Sequence, residues 1–322
     1  MMYNEIKLEK GLYHLANKSF LQALEEADPD VQYAGTPLGK LDAYERQLKR
    51  FDIRVSGPLC DRVEKFFTTT ESAVLFPEFV RRAVMQGIED PVLGDITAVV
   101  SRSESNRYQG IDLTDTAAYT TTAAGEEMPA SSIGECTEVI TLTKYGRLVK
   151  ATYEAVRQQR LDVFALMLRR VGKRLADAML SAALDVLKTG ATSVTTSSST
   201  LTYADVAGLY GSFKSFSLQA VLASPSVIAQ ILAMTQMEHT SAADAKELRL
   251  PFGARLICCP QLDDNTVLGL DTDFALEQIQ SSDVVLETDK LIDRQLDCIG
   301  ISVNIGFRRL MKDAVQVVNI QA

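Results

Sequence analysis

Asp95-Ile96-Thr97-Ala98-Val99-Val100 opens, and Thr137-Glu138-Val139-Ile140-Thr141-Leu142-Thr143 closes, the stretch whose reading decides how this chain folds. Ile96 to Val100 and Thr137 to Thr143 read as strands, rich in β-branched residues. Between them the chain is small and polar, passing through Tyr119-Thr120-Thr121-Thr122 and Gly125-Glu126-Glu127-Met128-Pro129. Such a passage has too few apolar groups for a core of its own, and an isolated two-stranded ribbon is marginal in water. At ~3.3 Å per residue, each arm can reach roughly 50 Å from the body. A structureless loop is the alternative, but loops beyond ~15 residues are uncommon in compact domains and usually carry function. The reading adopted is a ribbon that persists by lying on something else.

Downstream, Asp162 to Lys188 reads as one helix of about 40 Å, with Asp162 as its N-cap and Gly190 as its terminator. Phe164, Leu168, Val171, Leu175, Met179, Ala182 and Val186 recur at helical spacing as its buried stripe. Arg169, Arg170, Lys173 and Arg174 crowd its middle, either as a solvated face or as partners for acidic groups of another subunit. An α/β region follows to about Gln280: a helix from Tyr203, the strand Ala220–Ala223, a helix from Pro225 to Met237 and the strand Ala254–Pro260. At the end, Ile299, Ile301, Val303, Ile305 and Phe307 alternate with small or polar residues, and Val315, Val317 and Ile320 supply a last strand. Those two read as a half-buried antiparallel pair.

Upstream, residues 4–27 carry an apolar stripe (Ile6, Leu12, Leu15, Phe20, Leu21, Leu24) that predicts a helix stopped by Asp28-Pro29-Asp30. A second short helix is expected from Leu38 to Phe51, with Glu45, Arg46, Lys49 and Arg50 mostly on its solvated side. The first 70 residues then form an appended, charge-rich helical segment without a large core of its own. Phe66 to Gly87 reads as an anchored arm, with Pro77 tolerated in the first turn of a short helix.

The chain has 322 residues and a net charge of −9, with two histidines and no tryptophan. The acidic balance argues against a dedicated nucleic-acid binder, which gains affinity by neutralising phosphates. Five cysteines without C-x-x-C spacing read as reduced, packed thiols, and vicinal Cys258-Cys259 as two packed thiols on an apolar strand. No apolar leader or membrane span is visible, so the Asn17-Lys18-Ser19 sequon carries no meaning. Neither the phosphate-binding nor the hydrolase and zinc-protease motifs occur, and His14 and His239 have no ligand-spaced companion. Asp263 through Asp273 hints at calcium, but the twelfth position of a loop beginning at Asp264 is Ala275 rather than Glu. It reads as a turn-rich surface loop. No catalytic, cofactor or metal residue is assigned, and an enzyme is not expected.

The order of these elements is familiar. Val74-Leu75-Phe76-Pro77-Glu78-Phe79-Val80-Arg81-Arg82, the polar ribbon, Ile140-Thr141-Leu142-Thr143-Lys144-Tyr145-Gly146-Arg147-Leu148-Val149-Lys150, the long helix, Val221-Leu222-Ala223-Ser224-Pro225-Ser226, Leu250-Pro251-Phe252-Gly253 and Asp313-Ala314-Val315-Gln316-Val317 follow one another. In this the chain resembles, from about Thr70 to Ala322, the major capsid proteins of tailed bacteriophages, the lambdoid capsid fold.

The resemblance implies an α+β phage major capsid fold with an N-arm, an extended β-hairpin loop, a peripheral domain with a long spine helix, and an axial domain. Its boundaries would be a scaffold-like helical extension at 1–70, the N-arm at 71–95 and the extended loop at 96–145. The peripheral domain would hold 146–199 and 284–322, and the axial domain 200–283. It implies a structural subunit that self-assembles through pentamers and hexamers into an icosahedral shell around phage double-stranded DNA. Portal, and scaffold or decoration, proteins would be its partners, with assembly in the bacterial host cytoplasm and no membrane. The inter-subunit contact candidates are Phe76, Phe79, Arg81, Arg82, Arg102, Arg107, Tyr119, Glu126, Glu127, Arg169 and Arg170. Some relatives cross-link a lysine of the extended loop to a neighbour's asparagine. No lysine lies between Asp95 and Thr143, so a non-covalent shell is expected. The alternatives are an encapsulin-like compartment holding cargo enzymes, a soluble enzyme with a carboxylate site, and a phage scaffold or tail component.

Overall fold

The computed structural model describes residues 3–13, 18–115, 121–152, 156–239, 247–281, 284–291 and 296–321. Its strands are β1 (Thr97–Arg102), β2 (Arg107–Asp115), β3 (Ser131–Thr141), β4 (Thr143–Thr152), β5 (Thr192–Thr195), β6 (Ala220–Ala223) and β7 (Leu248–Arg249). They continue with β8 (Arg255–Cys258), β9 (Thr266–Leu270), β10 (Leu276–Gln280), β11 (Val285–Leu291), β12 (Leu296–Arg309) and β13 (Val315–Asn319). Two compact units share the chain, and each is discontinuous. The first holds Met1–Asp90, Gly146–Ala176 and Val284–Ser302; the second holds Pro91–Tyr145, Asp177–Asp283 and Val303–Ala322. The helix Leu161–Lys188 contributes to both.

In the first unit, the expected helix over 4–27 is replaced by a 3-10 turn, Lys10–Tyr13, and a helix only from Phe20 to Ala27. Ser19 sets that start: its hydroxyl accepts from the Gln22 amide at 3.2 Å while its own amide donates to the Gln22 side chain at 2.9 Å. Two otherwise unsatisfied donors are thereby satisfied reciprocally, which outweighs the continuing apolar stripe. Ser19→Ala is expected to cost about 1 kcal/mol in urea unfolding of the unassembled subunit. His14, Leu15 and Asn17 lie outside the described residues.

The helix Ala43–Arg50 is capped the same way by Asp42 and Glu45. Its Arg46, expected on the solvated side, is fully buried. The guanidinium donates to the Asp28 carboxylate and to the carbonyls of Asp28 and Leu41, each at 2.6 Å, and to Asp30 at 2.7 Å. Tyr33 completes the cluster, donating to the other Asp28 oxygen at 2.6 Å and lying under the guanidinium at 4.5 Å. In the same stretch of chain Leu8, Leu24, Tyr44, Leu48 and Phe66 are buried. Residues 1–70 thus contribute buried side chains, and a buried ion pair, to the first unit. The charge inside it is matched by partners 16 and 18 residues away, which no periodicity reveals.

Next in the unit comes an aromatic cluster. Phe66 meets Phe76 and Phe79 at 5.7 and 5.5 Å, and Phe76 stacks on Phe164 of the long helix at 6.1 Å. The helix Phe76–Ile88 crosses the long helix where glycine faces glycine. A Cβ at Gly172 would strike the Val84 carbonyl oxygen and come within 3.0 Å of Gly87 Cα; one at Gly87 would strike the Arg169 carbonyl. Elsewhere in the unit β11 pairs antiparallel with the first half of β12, Val285 opposite Ser302 through Leu291 opposite Leu296.

The second unit is built on a sheet of order β5-β13-β9-β6-β8-β7. Its central β6 and β9 are buried along their whole length, as continuous apolar runs covered on both faces require. Val206, Leu209, Val221, Val227, Ile231, Val267 and Val318 belong to its core, with the helices Tyr203–Ser212 and Pro225–Leu232 contributing.

Three expectations are corrected here. β12 and β13 do not pair: residues 305–309 of β12 lie against β10, whereas β13 sits between β5 and β9. Val315 through Val318 are all buried, so β13 needed a place inside a covered sheet rather than at a half-exposed edge. The stretch Asp263–Asp273 is not a surface loop, because its middle is β9; buried Asp271 accepts the Ser217 amide at 2.8 Å. Finally, Cys259 is buried but Cys258, on the other side of β8, is exposed.

Candidate assembly surface

A ribbon lies within the polar passage, but the strand expected to open it does not belong to it: β1 pairs parallel with β10, and the ribbon begins only at β2. β2 and β3 pair antiparallel from Arg107 opposite Thr141 to Asp115 opposite Ser131, with an irregularity between Gln109 and Ile111. Successive side chains in a strand point to opposite faces, so the ribbon has two distinct sides.

One side is tied to its own unit. Tyr108 donates to Glu277 at 2.7 Å, and Ser101 of β1 donates to the same oxygen at 2.5 Å. Arg308, directly opposite Glu277 in the β10–β12 pairing, reaches Glu277 at 3.4 Å and the Ile111 carbonyl at 3.2 Å, and pairs with the Asp112 carboxylate. Glu277 and Arg308 are both buried. The Tyr108 phenol lies above its ordinary pKa: hydrogen bonding with Ser101 opposes the shift, while burial and the Glu277 carboxylate outweigh it. At the ribbon's root, Ile140 and Leu142 close over Gly306, where a Cβ would come within 3.1 Å of Ile140 and 2.9 Å of Leu142.

The other side is apolar and open. Ile111, Leu113, Ile133 and Val139 are 66%, 51%, 71% and 48% exposed. Leu113 and Ile133 face each other across the ladder, and Ile111 faces Glu135. Towards the tip, Gly125 takes φ +94° in a turn, and Glu126, Glu127 and Met128 are exposed. Contiguous exposed apolar side chains of this kind mark an interaction site.

A second exposed face lies in the first unit, on the long helix. Val163, Leu166 and Met167 are 43%, 59% and 56% exposed. Arg169, Arg170 and Arg174 follow, also exposed, and Lys173 reaches Asp90 at 3.7 Å. Apolar and then cationic, this face runs along the N-terminal half of the helix.

The contact candidates divide accordingly. Arg102 and Arg107 are exposed at the ribbon's root, Glu126 and Glu127 near its tip, and Arg169 and Arg170 on the helix. Phe76 and Phe79, placed between subunits by the sequence reading, are instead buried in the aromatic cluster of their own chain. Arg81 and Arg82 both grip buried Glu78, at 2.8 and 3.0 Å, and Arg82 also reaches Asp42 at 2.7 Å. Tyr119 lies outside the described residues. Ile111, Leu113 and Ile133 were missed as contact candidates. The alternation Gly110-Ile111-Asp112-Leu113-Thr114 was the available signal for the first two. Among the described residues no cluster of His, Cys, Asp and Glu is placed to hold a metal, and no helix is long and apolar enough to cross a membrane.

Comparison with curated proteins finds no match by sequence. Solved structures match by fold. The capsid of an empty GTA particle aligns with TM-score 0.55 at 15% identity, over 71% of this chain and 89% of that one. The Microbacterium phage Oxtober96 structure aligns with TM-score 0.55 at 11% identity, over 72% and 91%. A virus-like particle from Pyrococcus furiosus aligns with TM-score 0.51 at 13% identity, over 75% and 98%. Residues 135–298, just over half of the chain, match the family described as phage capsid protein. With a fold shared with shell subunits and a two-sided ribbon too poor in core to stand alone, this chain belongs to the phage capsid protein family and has the major capsid fold of the tailed phages.

Proposed function

We propose that this subunit builds a closed icosahedral shell of pentamers and hexamers around phage double-stranded DNA, each copy laying its ribbon along the long helix of a neighbour. The single observation that carries this reading is the ribbon's open apolar side. Covering Ile111, Leu113, Ile133 and Val139 stabilises association by about 1.5–3 kcal/mol for each side chain fully buried. The helix face offers matching chemistry: Val163, Leu166 and Met167 for the apolar stripe, and Arg169 and Arg170 for Glu126 and Glu127 near the tip. Identical subunits joined head to tail close into rings, which is how one ribbon and one receiving face per chain generate capsomers.

In this reading 71–95 is the N-arm, 96–145 the extended loop, 146–199 with 284–322 the peripheral domain and 200–283 the axial domain. Residues 1–70 are an assembly extension. The net charge of −9 suits a wall that packs and releases DNA without binding it tightly. Assembly proceeds in the bacterial host cytoplasm, with a portal and scaffold or decoration proteins as partners.

The double substitution Leu113→Asp/Ile133→Asp is the test. Folded, dispersed subunits and no closed particles in negative-stain micrographs are expected, while normal particles would refute the docking. Arg169→Glu/Arg170→Glu is expected to block assembly similarly and to be rescued by Glu126→Arg/Glu127→Arg. Contents are tested separately on nuclease-treated particles: protected double-stranded DNA of uniform length supports the phage reading, and protein cargo without nucleic acid supports a compartment instead.

A further inference from the structure

We propose that Arg308 is a positioning residue for assembly: together with Glu277 it forms a clasp that sets the angle at which the ribbon leaves its own unit. This rests on the reading that the ribbon docks on a neighbour, and it names what aims it. Arg308 and Glu277 are cross-strand partners on β12 and β10, both buried, so the guanidinium is anchored from below. Its two terminal nitrogens also reach one strand of the ribbon, both to the Ile111 carbonyl, at 3.3 and 3.2 Å, and one to the Asp112 carboxylate. A planar fork of this kind holds direction as well as position, which a lysine ammonium does not.

The ribbon is shaped to receive it. Residue 110 is glycine, and a Cβ there would collide with the guanidinium, coming within 2.8 Å of Cζ. Ser101 and Tyr108 converge on the other Glu277 oxygen, so the carboxylate ties β1, the ribbon and Arg308 together. A neighbour's receiving face is a fixed target, and a ribbon tens of ångströms long converts a small change of angle at its root into a large displacement of its tip. The clasp thereby governs whether subunits meet in a geometry that closes.

Gly110→Ala and Arg308→Lys test this without removing the charge that neutralises Glu277. Hydrogen exchange in the unassembled full chain and electron microscopy of assembly reactions are the readouts. At least tenfold faster exchange in β2 and β3 is expected, with β6 and β9 unchanged and at least a fivefold fall in the fraction of uniform closed particles. Unchanged ribbon exchange, faster exchange throughout the second unit, or normal particles despite a loosened ribbon would each overturn the clasp. The Leu113→Asp/Ile133→Asp variant separates the two ideas. If it assembles normally the docking reading fails, whereas the clasp's effect on ribbon exchange is read independently of docking.

Discussion

Gly172→Val is expected to lower the stability of the first unit by about 3 kcal/mol or more, the upper end of what overpacking costs. The reason is the contact partner. A side chain added to a core normally displaces other side chains, which rotate away at modest cost. At this helix crossing it meets backbone: the Val84 carbonyl oxygen, and Gly87 Cα at 3.0 Å. Neither can move without parting the helix Phe76–Ile88 from the long helix, and with it the stacking of Phe76 on Phe164. Valine adds a branched side chain that is itself poorly suited to a helix interior. The reverse applies at Gly208, inside the helix Tyr203–Ser212, where an added Cβ meets nothing within 4 Å. There Gly208→Ala is expected to stabilise by up to ~1 kcal/mol. Urea unfolding of unassembled subunits followed by circular dichroism compares the two, and equal midpoints for Gly172→Val and the parent would refute the crossing.

The second large effect is at Arg46. Arg46→Met removes the cation and leaves the Asp28 carboxylate at zero exposure with Tyr33 as its remaining side-chain donor. Breaking a buried pair from one side costs about 3–5 kcal/mol, because the surviving charge keeps its desolvation penalty and loses its compensation. Replacing both partners, Asp28→Leu/Arg46→Met, is expected to recover a large part of that loss, since no buried charge is then orphaned. The cycle formed by the two single variants and the double, measured by denaturant unfolding, isolates the coupling. Additive losses would mean that the pair is not acting as a unit. Limited proteolysis supplies a local readout: cleavage before residue 60 should accelerate in the single variant and slow again in the double.

How far the amino-acid sequence carries the interpretation differs from element to element. The long helix was legible almost to the residue, Asp162–Lys188 against Leu161–Lys188, because its apolar stripe spans many turns and a glycine with φ +66° stands just past its end. The strand–helix pair Ala220–Ala223 and Pro225–Leu232 was equally plain from its apolar run and N1 proline, although the helix ends short of Met237. The N-terminal helix was overextended because an apolar stripe continues through a segment where the Ser19 capping box restarts the chain. The pairing of β12 with β13 was misjudged because alternation identifies a strand but not its partner. Phe76 and Phe79 illustrate the same limit, since an aromatic near an arm suits a neighbour's groove or its own core equally well until the partners are known.

From the linear chain alone came the essential architecture: an excursion of strands too polar to build a core, one long amphipathic helix, and an α/β region after it. These are consequences of short-range chemistry, of period, cap and turn residues acting over a few positions, and they survive any arrangement of the rest. Which side of the ribbon is open, which arginine is buried and which glycines touch were settled only by tertiary structure. Arg308 meets Asp112 across 196 residues of sequence, and whether a guanidinium is solvated, neutralised or aimed depends on carboxylates and carbonyls that only the folded chain brings within reach.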